Sequence, residues 1–260
     1  MRGVRLSQLV FAVTLVALGA IGLVKGDFVQ TWQPVPKFVP ARTAVAYLCA
    51  LVLLAAGLGL LWRRTAALAA RALLGYLALW FLLVRLPYTL LAFGVGAWWS
   101  DSQAAVMLAA AWVLSVGLAS DLDRRRFAFV AGDGGLRVAR VLYGLALIPF
   151  GLAHFLYLGN TAPVVPGWLL FPVFWSYFTG SAFIAAGVAV VVGVLARLAA
   201  ALAALQIWMF LVLVWLPVLA KGNISPFNWA ELVTTWVIGA GAWVVADSYR
   251  GRPWLAVRAA

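Results

Sequence analysis

Cysteine, histidine and acid are nearly missing from this chain of 260 residues, which has one cysteine (Cys49), one histidine (His154) and seven Asp or Glu. A single cysteine makes no internal disulfide and no Cys-x-x-Cys relay. For this chain alone, that excludes thiol–disulfide chemistry of the kind that reduces quinones or vitamin K. One histidine supplies neither a haem-style pair nor the donor set of a metal site. Also missing are a Gly-rich phosphate loop on a strand-to-helix turn, paired catalytic carboxylates within one apolar stretch, and a nucleophile with its base and orienting group. No recognised enzyme class is written in these motifs.

What the chain has in excess is hydrocarbon. Hydrophobic residues make up 66% and charged residues 10%, with a mean hydropathy of +1.05. A soluble domain carries about 45–50% and about 25% respectively. Such a surplus cannot be hidden inside a water-exposed globule, which excludes a soluble enzyme, a disordered chain and a nucleic-acid-binding domain. The net charge of +12 does not reverse this. Its charges sit in short clusters between long uncharged stretches, as topology signals do. The expected class is an all-α integral membrane protein.

A bilayer core of about 30 Å takes roughly 20 apolar residues per helix. Eight stretches qualify, at 6–25, 43–62, 66–92, 104–120, 138–158, 172–193, 196–220 and 228–247. The termini and the loops after spans two, four and six hold fourteen arginines: 2, 5, 63, 64, 71, 124, 125, 126, 137, 140, 197, 250, 252 and 258. The other side holds Lys25, Lys37, Arg42 and Lys221, and Arg85 lies within a span. The positive-inside rule then puts both termini in the cytoplasm. Tryptophans 32, 98, 99, 168, 175 and 229 form an outer interfacial belt.

The two halves read alike. At an offset of 130, Ala66, Leu68, Ala69 and Ala70 match Ala196, Leu198, Ala199 and Ala200, and Leu83-Val-Arg-Leu-Pro87 matches Leu213-Val-Trp-Leu-Pro217. Gly22-Leu-Val-Lys25 pairs with Gly151-Leu-Ala-His154, and Trp112-Val-Leu-Ser-Val-Gly117 with Trp236-Val-Ile-Gly-Ala-Gly241. Four spans per repeat make the repeats parallel, so the expectation is two four-helix bundles side by side. The divisions fall at 1–123 (N-terminal repeat), 124–137 (cytoplasmic linker), 138–250 (C-terminal repeat) and 251–260 (cytoplasmic tail). Glycine and alanine stripes in spans two, six and eight (Gly57, Gly180, Gly187, Gly239, Gly241 among them) let helices approach closely in lipid.

The rare polar groups gather toward the outer side. His154 sits about 6 Å from the outer end of span five, with Lys25 as its repeat counterpart. Arg85 lies about 10 Å into span three, opposite Trp215 in the repeat. An arginine at that depth pairs, lines a water cavity or snorkels. Glu231 is the best placed acid to pair with it, with Asp27 and Asp101 as alternatives at loop edges. Pro87 and Pro217 are expected to kink their spans. Tyr47 and Tyr177 pair in the repeat near the outer starts of spans two and six. Gln206 is expected to bond a neighbouring helix. Two Pro-rich connections, Trp32–Pro40 and Ala162–Pro172, are expected to be stiff and non-helical, either as interfacial anchors or as lids over a pocket.

The second half carries a family pattern. Arg140-Val-Leu-Tyr-Gly-Leu-Ala-Leu-Ile-Pro-Phe-Gly-Leu-Ala-His154, Val165-Pro-Gly-Trp168, Trp175-Ser-Tyr-Phe-Thr-Gly180 and Ala185-Ala-Gly187 resemble the DoxX family of small bacterial membrane proteins. The family's glycine, histidine and Trp-x-Tyr-x-x-Gly positions match Gly151, His154, Trp175, Tyr177 and Gly180. The first half resembles it only through the internal repeat, with Lys25 for the histidine and Val45-Ala-Tyr47-Leu-Cys-Ala50 for the second motif. The resemblance implies a four-helix unit, here doubled, in a bacterial cytoplasmic (inner) membrane. It also implies a link to redox complexes, since the family is named from a subunit of an archaeal thiosulfate:quinone oxidoreductase.

Three functions follow as expectations. The first is an accessory or quinone-interacting subunit of a membrane redox system, with His154, Arg85, Tyr177, Trp175, Glu231, Lys25 and Tyr47 as candidate ligand-binding residues and a quinone or lipid as ligand. The second is a non-enzymatic lipid-binding or assembly factor, with Lys25, Lys37 and Arg42 touching headgroups or a partner. The third is a small-solute transporter. It lacks polar groups in the inner halves of the spans beyond Gln206.

Overall fold

The computed structural model describes residues 5–29, 35, 39–92 and 94–257. Every regular element among them is helical. The long helices are α1 (Leu6–Lys25), α2 (Arg42–Leu61), α3 (Ala66–Leu91) and α4 (Val95–Gly117). Two short helices follow, α5 (Asp121–Arg126) and α6 (Ala128–Ala131), then long α7 (Asp133–Leu156) and short α8 (Leu158–Thr161). The chain ends with α9 (Pro172–Val192), α10 (Ala196–Ala220) and α11 (Pro226–Asp247).

Seven of these helices (α1, α2, α3, α7, α9, α10 and α11) are long and apolar enough to cross a membrane. The remaining expected stretch, the fourth at 104–120, belongs to α4, which starts at Val95 and has 23 residues. Its first turns carry Ser100, Asp101, Ser102 and Gln103, and these polar residues keep it out of the apolar set. Protein rather than lipid encloses this helix: Val106, Met107, Ala109, Ala110 and Ala111 are fully buried.

Each long helix packs on the next in chain order, from α1 to α11, and α11 returns to pack on α1. The most extensive contacts join α7 to α9, α1 to α2 and α4 to α7. Helices α4 and α11 also pack on each other. Between α7 and α9 the backbones nearly touch. A Cβ on Gly187 would lie 2.6 Å from the Gly144 carbonyl oxygen, and one on Gly151 would lie 2.5 Å from that of Gly180. The α1–α2 contact repeats the arrangement, with Gly57 against the Ala12 carbonyl. In lipid, where burying an apolar side chain gains little, such close contact supplies the attraction between helices.

Pro87 and Pro217 do not simply kink their helices. Each lies two residues after a π-helical turn, Phe81–Arg85 in α3 and Leu211–Trp215 in α10. A proline removes one amide donor and pushes away a carbonyl of the preceding turn, and the wider π turn absorbs that misfit without breaking the helix. The connection after α8 runs through a single 3₁₀ turn, Ala162–Val164, and is otherwise non-helical up to Phe171. Most of the first Pro-rich connection, including Trp32, Pro34 and Lys37, lies outside the described residues.

Candidate functional site

A guanidinium in hydrocarbon needs a counter-charge, and Arg85 finds one on the adjacent helix. It ends the π turn of α3 and is wholly inaccessible. Its Nη2 lies 2.8 Å from Asp101 Oδ1 and donates to Ser100 Oγ at 2.7 Å. One turn further along α3, the Thr89 hydroxyl donates to the other carboxylate oxygen of Asp101. The expectation that Glu231 pairs with Arg85 is therefore corrected. Asp101 was expected at a loop edge because span four was started at residue 104; with α4 beginning at Val95, Asp101 is a helical residue facing α3. Glu231, half-buried in α11, makes no ion pair or hydrogen bond among the described residues.

Asp27, the other alternative, is engaged elsewhere. Its Oδ1 accepts from the Phe28 amide at 2.7 Å and from Arg42 Nη2 at 3.1 Å. Arg42 lies over the Phe28 ring, and that ring contacts Trp80. Together they tie the end of α1 to the start of α2. The adjoining crevice beside Gly22, Cys49 and Leu53 has no room for a water molecule.

His154 occupies a different setting, among α7, α9 and α10. Its Nδ1 is 2.8 Å from the Phe150 carbonyl oxygen, one turn back. A carbonyl only accepts, so Nδ1 carries the proton, and in the neutral ring Nε2 presents a lone pair. Nε2 has no hydrogen-bond partner among the described residues. Phe183 and Phe210 each place a ring centroid 5.8 Å from the imidazole, with Phe210 stacked on it. Phe150 packs on Phe183 and completes the aromatic wall. Gly180 makes the approach possible, because a Cβ there would lie 2.8 Å from His154 Cβ.

The remaining candidates divide between anchoring and surface positions. Trp175 donates its indole N–H to the Leu170 carbonyl at 3.0 Å and holds the end of the non-helical connection to α9. Tyr177 is exposed and stacks on Phe155. Tyr47 is exposed too, with its hydroxyl 2.9 Å from where a Cβ on Gly26 would stand. Gly26 has φ +64° and caps α1 just after the exposed Lys25. Gln206 bonds a neighbouring helix as expected, donating to the Thr179 carbonyl at 3.1 Å. The structure thus joins Arg85 with Asp101, and His154 with an aromatic wall, but it holds these two centres on different helices. An open apolar recess of about 560 Å³ lies along Phe171, Pro172, Val173 and Phe174, and none of the candidate polar residues lines it.

Sequence reasoning missed the residues that complete each centre. Thr89 and Ser100 carry no motif, and Phe150, Phe183 and Phe210 look like ordinary apolar span residues. It also missed a polar seam at the other end of the bundle. There the buried Asp247 accepts from Ser7 Oγ at 2.9 Å and pairs with Arg250. Nearby, the buried Arg140 bonds Ser248 and lies 4.0 Å from the Tyr249 ring centroid. Among the described residues no group of three His, Cys, Asp or Glu could hold a metal ion. No model of a known protein family, no curated protein sequence and no solved structure matches this chain.

Proposed function

We propose that this chain is a DoxX-like protein of a bacterial cytoplasmic membrane, with eight spans arranged as two parallel four-helix repeats and both termini in the cytoplasm. In this reading it serves as an accessory subunit of a membrane redox system and binds quinol at His154. Three correspondences support the doubled architecture. The π turns Phe81–Arg85 and Leu211–Trp215 fall at the same offset of 130 as the matching sequence, each just ahead of Leu-Pro. Ala41 and Phe171, also 130 apart, both take a left-handed backbone conformation at the start of α2 and α9. The first helix of each half also packs on the fourth of the other, α1 on α11 and α7 on α4. Helix α4 is then the fourth span, which brings the total to eight, and it is kept polar at one end by its pairing with Arg85.

The observation that carries the ligand reading is the fixed tautomer of His154. With Nδ1 committed to the Phe150 carbonyl, Nε2 accepts a hydrogen bond, so the ligand must offer a donor, and a hydroxyl serves. A hydroquinone has one on a flat aromatic ring, which suits an acceptor bordered by the half-buried Phe210. The Arg85–Asp101 pair, already neutralised, holds the π turn and does not touch the quinol. Titration of the purified protein with a short-chain quinol, followed by tryptophan fluorescence, tests this. His154→Phe fills the aromatic space but removes the acceptor, and it should weaken binding by about tenfold, the worth of one hydrogen bond. Equal responses from wild type and variant would contradict the site.

A further inference from the structure

The connection between α4 and α7 was expected to be a plain cytoplasmic linker, yet it is built as a docked platform. Ser120 and Asp123 form a capping box that starts α5, and Arg71 of α3 pairs with Asp123. The Ser120 amide and hydroxyl, with Arg71 beside them, hold the Asp123 carboxyl below the usual carboxylate range. At the other end, Trp112 of α4 donates its indole N–H to the Val130 carbonyl at 2.9 Å. Beneath this bond Gly135 is required, since a Cβ there would lie 2.3 Å from the Val130 oxygen. Both ends of the segment are thus fastened to long helices.

The outward side carries two kinds of group. Arg124, Arg125 and Arg126 are consecutive and exposed, and none makes an ion pair or hydrogen bond with any described residue. Next to them Phe127 and Phe129 stand 60% and 66% exposed, with Leu122 exposed on the preceding turn. Large apolar rings held out beside unpaired guanidinium groups would be costly in water. They suit the boundary of a bilayer, where rings enter the acyl region and arginines meet phosphates. Helix α7, apolar enough to cross a membrane, begins at Asp133, two residues after α6 ends, which puts the platform at such a boundary. Among the described residues the acids on the platform's exposed side are Asp121 and Asp133, against three arginines, so its charge remains positive.

We infer that residues 120–131 form a binding surface for anionic phospholipid, with Arg124, Arg125 and Arg126 on the headgroup phosphates and Phe127 and Phe129 inserted below them. The surface needs only a position at the membrane boundary, so it does not depend on the quinol reading.

Full-length protein in a neutral detergent, titrated with dioleoylphosphatidylglycerol and examined by native mass spectrometry, tests the inference. Wild type should retain phosphatidylglycerol in preference to phosphatidylcholine, and inorganic phosphate should not compete. Replacing all three arginines (Arg124→Gln, Arg125→Gln, Arg126→Gln) should weaken retention by about fivefold per charge removed. Arg63→Gln with Arg64→Gln, in another exposed turn, should leave it near wild type. Equal retention by the triple variant and wild type would overturn the assignment, as would an acidic protein partner lost by the triple variant with lipid retention unchanged. A nitroxide on Phe129→Cys gives a second reading, since Cys49 is buried. In phosphatidylglycerol bilayers it should relax with oxygen as a lipid-embedded label does; relaxation with an aqueous reagent instead would also overturn the proposal.

Discussion

Arg85 on α3 and Asp101 on α4 face each other at 2.8 Å, with Thr89 and Ser100 supplying further hydrogen bonds. Neither charge has water to fall back on, so each depends on the other. Arg85→Met strands a carboxylate and Asp101→Leu strands a guanidinium, and each should cost about 3–5 kcal/mol. The double variant should recover most of the loss, because replacing a whole buried pair by apolar residues is often close to neutral. Thermal unfolding of the four proteins in one detergent checks this; additive losses in the double variant would count against a mutually dependent pair.

The α7–α9 contact depends on the absence of side chains at four positions. Gly187→Val pushes a branched side chain against the Gly144 carbonyl, 2.6 Å from its first carbon. The expected cost is about 1–3 kcal/mol or more, since well-packed helices separate only by straining their neighbours. Gly159→Ala, where a new Cβ meets nothing within 4 Å, is the matched control and should be neutral.

The Asp123 cap makes a pH prediction with a definite sign. Its carboxyl is held low first by the Ser120 amide and hydroxyl, then by Arg71. A depressed folded value means that the stabilisation is fully present above the ordinary carboxylate range, about 4. It is lost only as pH falls through the lower, folded value. Once the intrinsic pH dependence of amide exchange is divided out, protection of the 120–127 amides should therefore hold at pH 5 and fall well below pH 4. In Asp123→Asn the protection should be lower throughout and should not change with pH in this range.

Some of this was legible in the residues and some was not, for physical reasons. Helices α1 and α10 start and end where the hydrophobic runs do, because lipid demands an apolar face all round them. Helix α4 was read nine residues short. Protein shields its first turns, so Ser100, Asp101 and Ser102 are tolerated in a helix, and with them the partner of Arg85 was missed. Pro87 and Pro217 marked a disturbance, but a π turn leaves no composition of its own. His154 stood out as the lone histidine, whereas its aromatic wall depends on which faces of α9 and α10 turn toward α7. The platform at 120–131 looked like a charged linker because its fastenings, Arg71 and Trp112, lie far from it in the chain.

A single histidine makes the central claim directly measurable. In protein labelled only with ¹⁵N-histidine, every imidazole nitrogen signal comes from His154. Without ligand, Nδ1 should carry a proton and Nε2 should resonate as an unprotonated acceptor. Added quinol should then move the Nε2 line in a saturable way and leave Nδ1 in place. An unprotonated Nδ1, or an Nε2 line that stays fixed through the quinol titration, would contradict the account.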